Sequence, residues 1–61
     1  NDRWVLVDYK TDHCPAADLP ARYGDQLCWY ARALREITGK DVAELWLYSL
    51  NESRSVAVQN S

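Results

Sequence analysis

Two short segments carry side chains whose types and spacing could support chemistry. In Val7-Asp8-Tyr9-Lys10-Thr11-Asp12 an acid and an amine stand two positions apart, and residues two apart on an extended chain project to the same side. If that side opens to solvent, the Asp8 carboxylate can take a hard divalent cation such as magnesium, which favours carboxylate and water oxygens in near-octahedral array. Lys10 can then hold a phosphate oxygen or orient an attacking water at the same centre. Read alone, the pair equally describes a surface ion pair at a strand end, worth roughly 0–1 kcal/mol. In Gln26-Leu27-Cys28-Trp29-Tyr30 the amide and the phenol are four apart, which stacks them one helical turn above the other. The amide can reach a substrate or a metal-bound water, and the phenol can orient it or touch a phosphate. The same spacing suits a tyrosine buried by its ring with the glutamine at the rim of the core.

Other clusters point to less. His13, Cys14 and Cys28 offer three soft ligands without a recurring zinc spacing, so no zinc site is expected. Arg22, Arg32 and Arg35 share their helix with Asp25 and Glu36, which suits a solvated mixed-charge face better than a DNA-contacting stripe. Trp46 and Tyr48 share a strand face and read as core, whereas Trp29 flanks the apolar helix face.

Positioning these groups takes four elements. The apolar run Trp4-Val5-Leu6-Val7, continued by Asp8-Tyr9-Lys10, reads as a strand, apolar on both faces over its first half and so covered on both sides. Trp4, Leu6, Asp8 and Lys10 share one face. Thr11 to Asp18 lacks a period and reads as a loop. Asp18 can cap a helix with Pro20 in its first turn. Tyr23, Leu27, Tyr30, Ala31, Leu34 and Ile37 recur at helical spacing, and Gly39 is a left-handed terminator. Gly24 costs about 1 kcal/mol inside a helix relative to Ala, which moves the expected start toward Asp25. Val42 to Leu50 is a second well-covered strand, Asn51-Glu52-Ser53 a turn, and Ser55 to Val58 a short edge strand. The interval from Lys10 to Val42 has the length of one crossover, so the first two strands should be parallel. The expectation is an α/β (α+β) β-α-β-β arrangement, a mixed sheet with one amphipathic helix packed on it.

With 61 residues there is room for one small core and not two domains. Charged residues at 26% and hydrophobic residues at 48% argue against general disorder. The formal net charge of −2 argues against a self-sufficient nucleic-acid binder. No apolar run approaches the roughly 18 residues of a membrane span. Two cysteines are too few for a disulfide framework and read as reduced thiols in a cytoplasmic protein.

The strings Val5-Leu6-Val7-Asp8-Tyr9-Lys10-Thr11-Asp12 and Arg22-Tyr23-Gly24-Asp25-Gln26-Leu27-Cys28-Trp29-Tyr30-Ala31-Arg32-Ala33-Leu34, followed by Thr38-Gly39 and Leu45-Trp46-Leu47-Tyr48-Ser49-Leu50, resemble the nuclease domain of the RecB and AddA helicase–nucleases, within the PD-(D/E)XK superfamily. The resemblance runs over residues 3 to 58. It implies a restriction-endonuclease-like core in which Asp8 and the backbone carbonyl of Tyr9 bind Mg2+ (or Mn2+). It further implies that Lys10 positions the nucleophilic water, and that Gln26 and Tyr30 support the site and contact DNA. The implied activity is exonucleolytic hydrolysis of DNA, coupled to a helicase domain in cis and in some relatives to a second nuclease or helicase subunit, in double-strand break repair and recombination. Neither zinc nor an iron–sulfur cluster is expected, because no cysteine follows Cys28.

One departure shapes the expectation. The family carries an acid on the preceding strand and a Glu or His before that, whereas only Asn1, Asp2 and Arg3 precede Trp4. Asp2 would stand about 20 Å along a strand from Asp8. Residues 1–61 are therefore expected to be a single partial nuclease domain, lacking the upstream helix and strands, inactive alone and prone to pair with another copy through an open strand edge. The alternative is a noncatalytic protein- or DNA-interaction module that keeps the fold.

Overall fold

The computed structural model describes residues 3–59. Strand β1 (Trp4–Lys10) leads through a single 3-10 turn (Ala16–Asp18) into helix α1 (Leu19–Thr38), followed by β2 (Val42–Ser49) and β3 (Arg54–Val58). The sheet order is β1-β2-β3, with β1 parallel and β3 antiparallel to the central β2. The expected β-α-β-β order and mixed sheet are both present. Among the described residues, no helix is long and apolar enough to cross a membrane.

Helix α1 begins six residues earlier than the glycine suggests. Gly24 is buried inside it and faces the Val58 side chain, so tertiary contact overrides its poor propensity. Asp18 stands at the N-cap position but makes no side-chain capping bond; the preceding 3-10 turn leads the backbone into the helix. The other end follows expectation. Gly39 adopts φ 73° and its N–H donates to Arg35 O at 2.8 Å, closing the last turn in the left-handed conformation that glycine takes without strain.

Leu19, Leu27 and Ala31 of α1 pack on Val42, Leu45 and Leu47 of β2, with Leu6, Cys14, Tyr23, Cys28, Leu34 and Val58 around them. Val42 and Leu45 are an odd number of residues apart and yet both are buried. A shift in the β1–β2 register, from Trp4 opposite Val42 to Val5 opposite Glu44, inserts Ala43 and flips the alternation. Expected core residues Tyr30 and Ile37 are instead exposed, Ile37 at 82%, because they lie on the helix flank beyond the β1 edge.

The expectation that β1 and β2 are covered on both sides is not met. Helix α1 covers one face; on the other, Val5, Val7 and Tyr9 are exposed. Trp46 and Tyr48, read as core, lie half-buried on that open face, where Trp46 Nε1 donates to Glu44 and the Tyr9 and Tyr48 rings meet edge-on at 5.6 Å. Trp29 is exposed, as its flanking position suggests. The β2–β3 turn is closed by the Glu52 N–H bonding to the buried Ser49 Oγ and by Ser53 at φ 51°. Glu52 Oε1 also accepts from the Ala16 N–H, tying the 3-10 turn to this corner.

Candidate active site

Strand alternation puts Asp8 and Lys10 on the helix-covered face, opposite Leu47 and Ser49 of β2. Their side chains are 33% and 21% exposed and form an ion pair, Lys10 Nζ to Asp8 Oδ2, at 3.2 Å. The shared side expected from their spacing is realised. The Leu50 N–H donates to the Lys10 carbonyl at 2.9 Å and fixes the strand end to β2. Because successive carbonyls of a strand point to opposite sides, the Tyr9 carbonyl turns toward the open edge of β1.

A further residue completes the cluster. The Lys10 ammonium lies 4.1 Å from the centroid of the Tyr23 ring, a cation–π contact. The Tyr23 hydroxyl donates to Asp12 Oδ2, and Arg22 Nη1 stands 4.0 Å from the same oxygen. The hydrogen bond to Asp12 holds the Tyr23 phenol above its ordinary pKa of 10.0, with burial and the Asp12 charge acting in the same direction. Asp8, Lys10, Tyr23, Asp12 and Arg22 thus form one continuous network where the end of β1 meets the second turn of α1.

Gln26 and Tyr30 form a separate pair, Gln26 Nε2 donating to Tyr30 Oη at 3.3 Å on the exposed helix surface. Among the described residues, no hydrogen bond or ion pair joins either of them to Asp8 or Lys10. They continue the flank on which Tyr23 faces Lys10, at three and seven residues further along. The contact between Trp4 Nε1 and Thr38 Oγ1 at 3.1 Å shows that this flank runs antiparallel along β1. The expected amide over the acid and amine is therefore replaced by the Tyr23 ring.

Sequence reasoning assigns Tyr23 to the helix core and Asp12 to the loop. The signals that could have found them lie in the Tyr23-x-x-Gln26 spacing and in the alternation of Asp8, Lys10 and Asp12. Asp2 lies outside the described residues. His13 and Cys14 do not meet Cys28: His13 Nδ1 bonds Asn51 Oδ1 at 3.2 Å, while Cys28 Sγ faces the Gln59 carbonyl. Among the described residues, no three His, Cys, Asp or Glu side chains gather into a metal-holding group.

No family model and no solved structure matches the chain. Among curated proteins, the ATP-dependent helicase/nuclease AddA of Carboxydothermus hydrogenoformans is 45% identical over 60 residues, covering 93% of this chain and 5% of that protein. The protein of the same name from Alkaliphilus metalliredigens is 45% identical over 58 residues, covering 90% of this chain and 5% of its own. That of Clostridium kluyveri is 45% identical over 49 residues, covering 79% and 4%. The chain spans about 5% of the length of the curated relatives it matches. Over nearly its whole length it is a homologue of a short segment of the AddA proteins of the helicase–nuclease family.

Proposed function

We propose that this chain supplies the acid, the lysine and the supporting helix of a metal-dependent DNA exonuclease site of the PD-(D/E)XK type, as the carboxyl-terminal part of a nuclease domain with a restriction-endonuclease-like core. One observation carries the reading: Asp8 and Lys10 meet at 3.2 Å on one face of a strand whose other edge is open. The relatives' names place nuclease and helicase functions in one polypeptide. The parent of this chain would accordingly act on DNA with a helicase in cis and a second subunit beside it, in double-strand break repair and recombination in the cytoplasm.

The donor set fits a hard cation in part. The Asp8 carboxylate and the edge-facing Tyr9 carbonyl are two oxygens of the kind that magnesium or manganese takes, out of about six. Water, phosphate and groups from elsewhere in the longer relatives would complete the shell, which is why the isolated chain is expected to be inactive. Such an ion, when bound, activates water for attack on a phosphodiester. The chain's own residues act around it. Lys10 sets a positive charge beside the acid and is held from below by the Tyr23 ring, whose hydroxyl is anchored on Asp12. An anchored ammonium loses less conformational freedom on meeting a phosphate oxygen than a free lysine would. Gln26 and Tyr30 present an amide and a phenol on the same flank, suited to contact the DNA strand.

The test is Mn2+ titration of the isotopically labelled chain, read by NMR. Paramagnetic broadening should begin at Asp8, Tyr9 and Lys10 and be lost in Asp8→Asn. Broadening that starts elsewhere, or that survives the substitution, refutes the metal assignment. DNA cleavage by the highly purified chain, abolished by Asp8→Ala, would show the expected inactivity to be wrong.

A further inference from the structure

The flank of α1 that faces away from the β1 edge carries a groove that the proposed nuclease site does not use. Its deeper part, a cleft of about 400 Å³, is lined by three arginines, Arg3, Arg32 and Arg35, with Asp41 as the single acid. These are three of the seven Lys and Arg residues in a chain whose formal net charge is −2. The cleft is continuous through Cys28 and Arg32 with a shallower recess of about 300 Å³ that Trp29 and Asp25 complete. Trp29 is 63% exposed, and its ring is braced edge-on by Tyr30 at 5.7 Å.

Two contacts fix which side of the helix this is. Cys28 Sγ faces the Gln59 carbonyl and Gly24 faces Val58, so this flank lies toward β3. Tyr23 meets Lys10 on the opposite flank. Trp29, Arg32 and Arg35 follow at three-residue steps, each about 4.5 Å along the axis. The Arg35–Asp41 pair, at 3.1 Å, is exposed on both sides, so solvent already screens it and a phosphate can take the place of the carboxylate.

We infer that this groove binds the backbone of a single nucleic-acid strand, with the arginines on phosphates and Trp29 stacked on a base. Planar guanidinium forks match phosphate oxygens, and a positive groove flanked by an exposed aromatic ring is the chemistry that holds single strands without sequence preference. The mixed charges along the helix suggested a merely solvated face. What the linear pattern hides is that Arg3, from the start of β1, joins Arg32 and Arg35 in one cleft. The choice of DNA as the strand rests on the nuclease reading; the groove itself does not.

The experiment is titration of the isotopically labelled 61-residue chain with oligothymidylate in EDTA, read by NMR. Amide shifts should gather at Ala31, Arg32, Arg35 and Ala43 and at the Trp29 indole. The logarithm of affinity should fall with the logarithm of salt with a slope of about −2 for three arginine contacts, moving to about −1.4 in Arg32→Ala. Trp29→Ala should weaken binding about fivefold or more. Asp8→Asn, which removes the expected manganese broadening, should leave these shifts in place, so the two readings fail separately. Shifts confined to Asp8–Asp12 and Tyr23, or no shifts, overturn the proposal. Equal shifts at the same residues with poly-aspartate also overturn it and mark an acidic protein surface as the partner.

Discussion

Two glycines give opposite predictions, and together they test whether α1 is built as described. Gly24 lies in the helix interior, and a methyl placed there would sit 3.6 Å from Val58 Cγ1, an ordinary contact. Gly24→Ala should gain about 0.8–1.0 kcal/mol from helix propensity, and a buried methyl adds up to about 0.8 kcal/mol. Gly39 has nothing within 4 Å of the added methyl, but its φ is 73°. Gly39→Ala therefore loses about 1–2 kcal/mol to left-handed strain despite the free space. The two variants should differ by about 2–3 kcal/mol. A chain of this length is worth roughly 3–9 kcal/mol in total, so the gap is large. At about 4–8 °C per kcal/mol, Gly24→Ala should raise Tm by at least about 4 °C and Gly39→Ala lower it by a similar amount or more. Thermal and urea unfolding followed by circular dichroism, with unchanged m-values, measures both. A Gly24→Ala variant less stable than the parent would refute the reasoning, because it would mean that the helix does not pass through residue 24 against β3. The consequence reaches the candidate site, since the same turn holds Tyr23 beneath Lys10.

Two other predictions concern the network and the open surfaces. Because the bond to Asp12 raises the Tyr23 pKa, the folded state holds that phenolic proton more tightly than the unfolded chain. The associated stability is complete below the unfolded value and is lost as pH rises through the folded one. Ultraviolet titration should show Tyr23 ionising late and returning toward its ordinary value in Asp12→Asn; a titration indifferent to that change removes the proposed bond. The unpaired edge of β1, with Val5, Val7 and Tyr9 exposed beside it, should drive concentration-dependent self-association. Sedimentation should detect it and Val7→Lys should suppress it, whereas a clean monomer at high concentration counts against it.

Local rules account for much of this molecule. Period-two alternation put Asp8 and Lys10 on one side, Gly39 ended the helix, and the crossover length made β1 and β2 parallel, because each depends on bonds or geometry within a few residues. Three features escaped that reasoning. The inserted Ala43 changed which side of β2 faces the helix, since register is set by the partner strand. Gly24 stayed helical because Val58, 34 residues away in the chain, packs against it. Tyr23, spaced as a core residue, became the platform for Lys10 because β1 ends opposite the second turn of α1. The types and spacing of the reactive groups are written along the chain, but which ring lies under an ammonium, and which arginines share a cleft, follow from how helix and sheet are stacked. No residue's neighbours across that interface can be read from its neighbours in sequence.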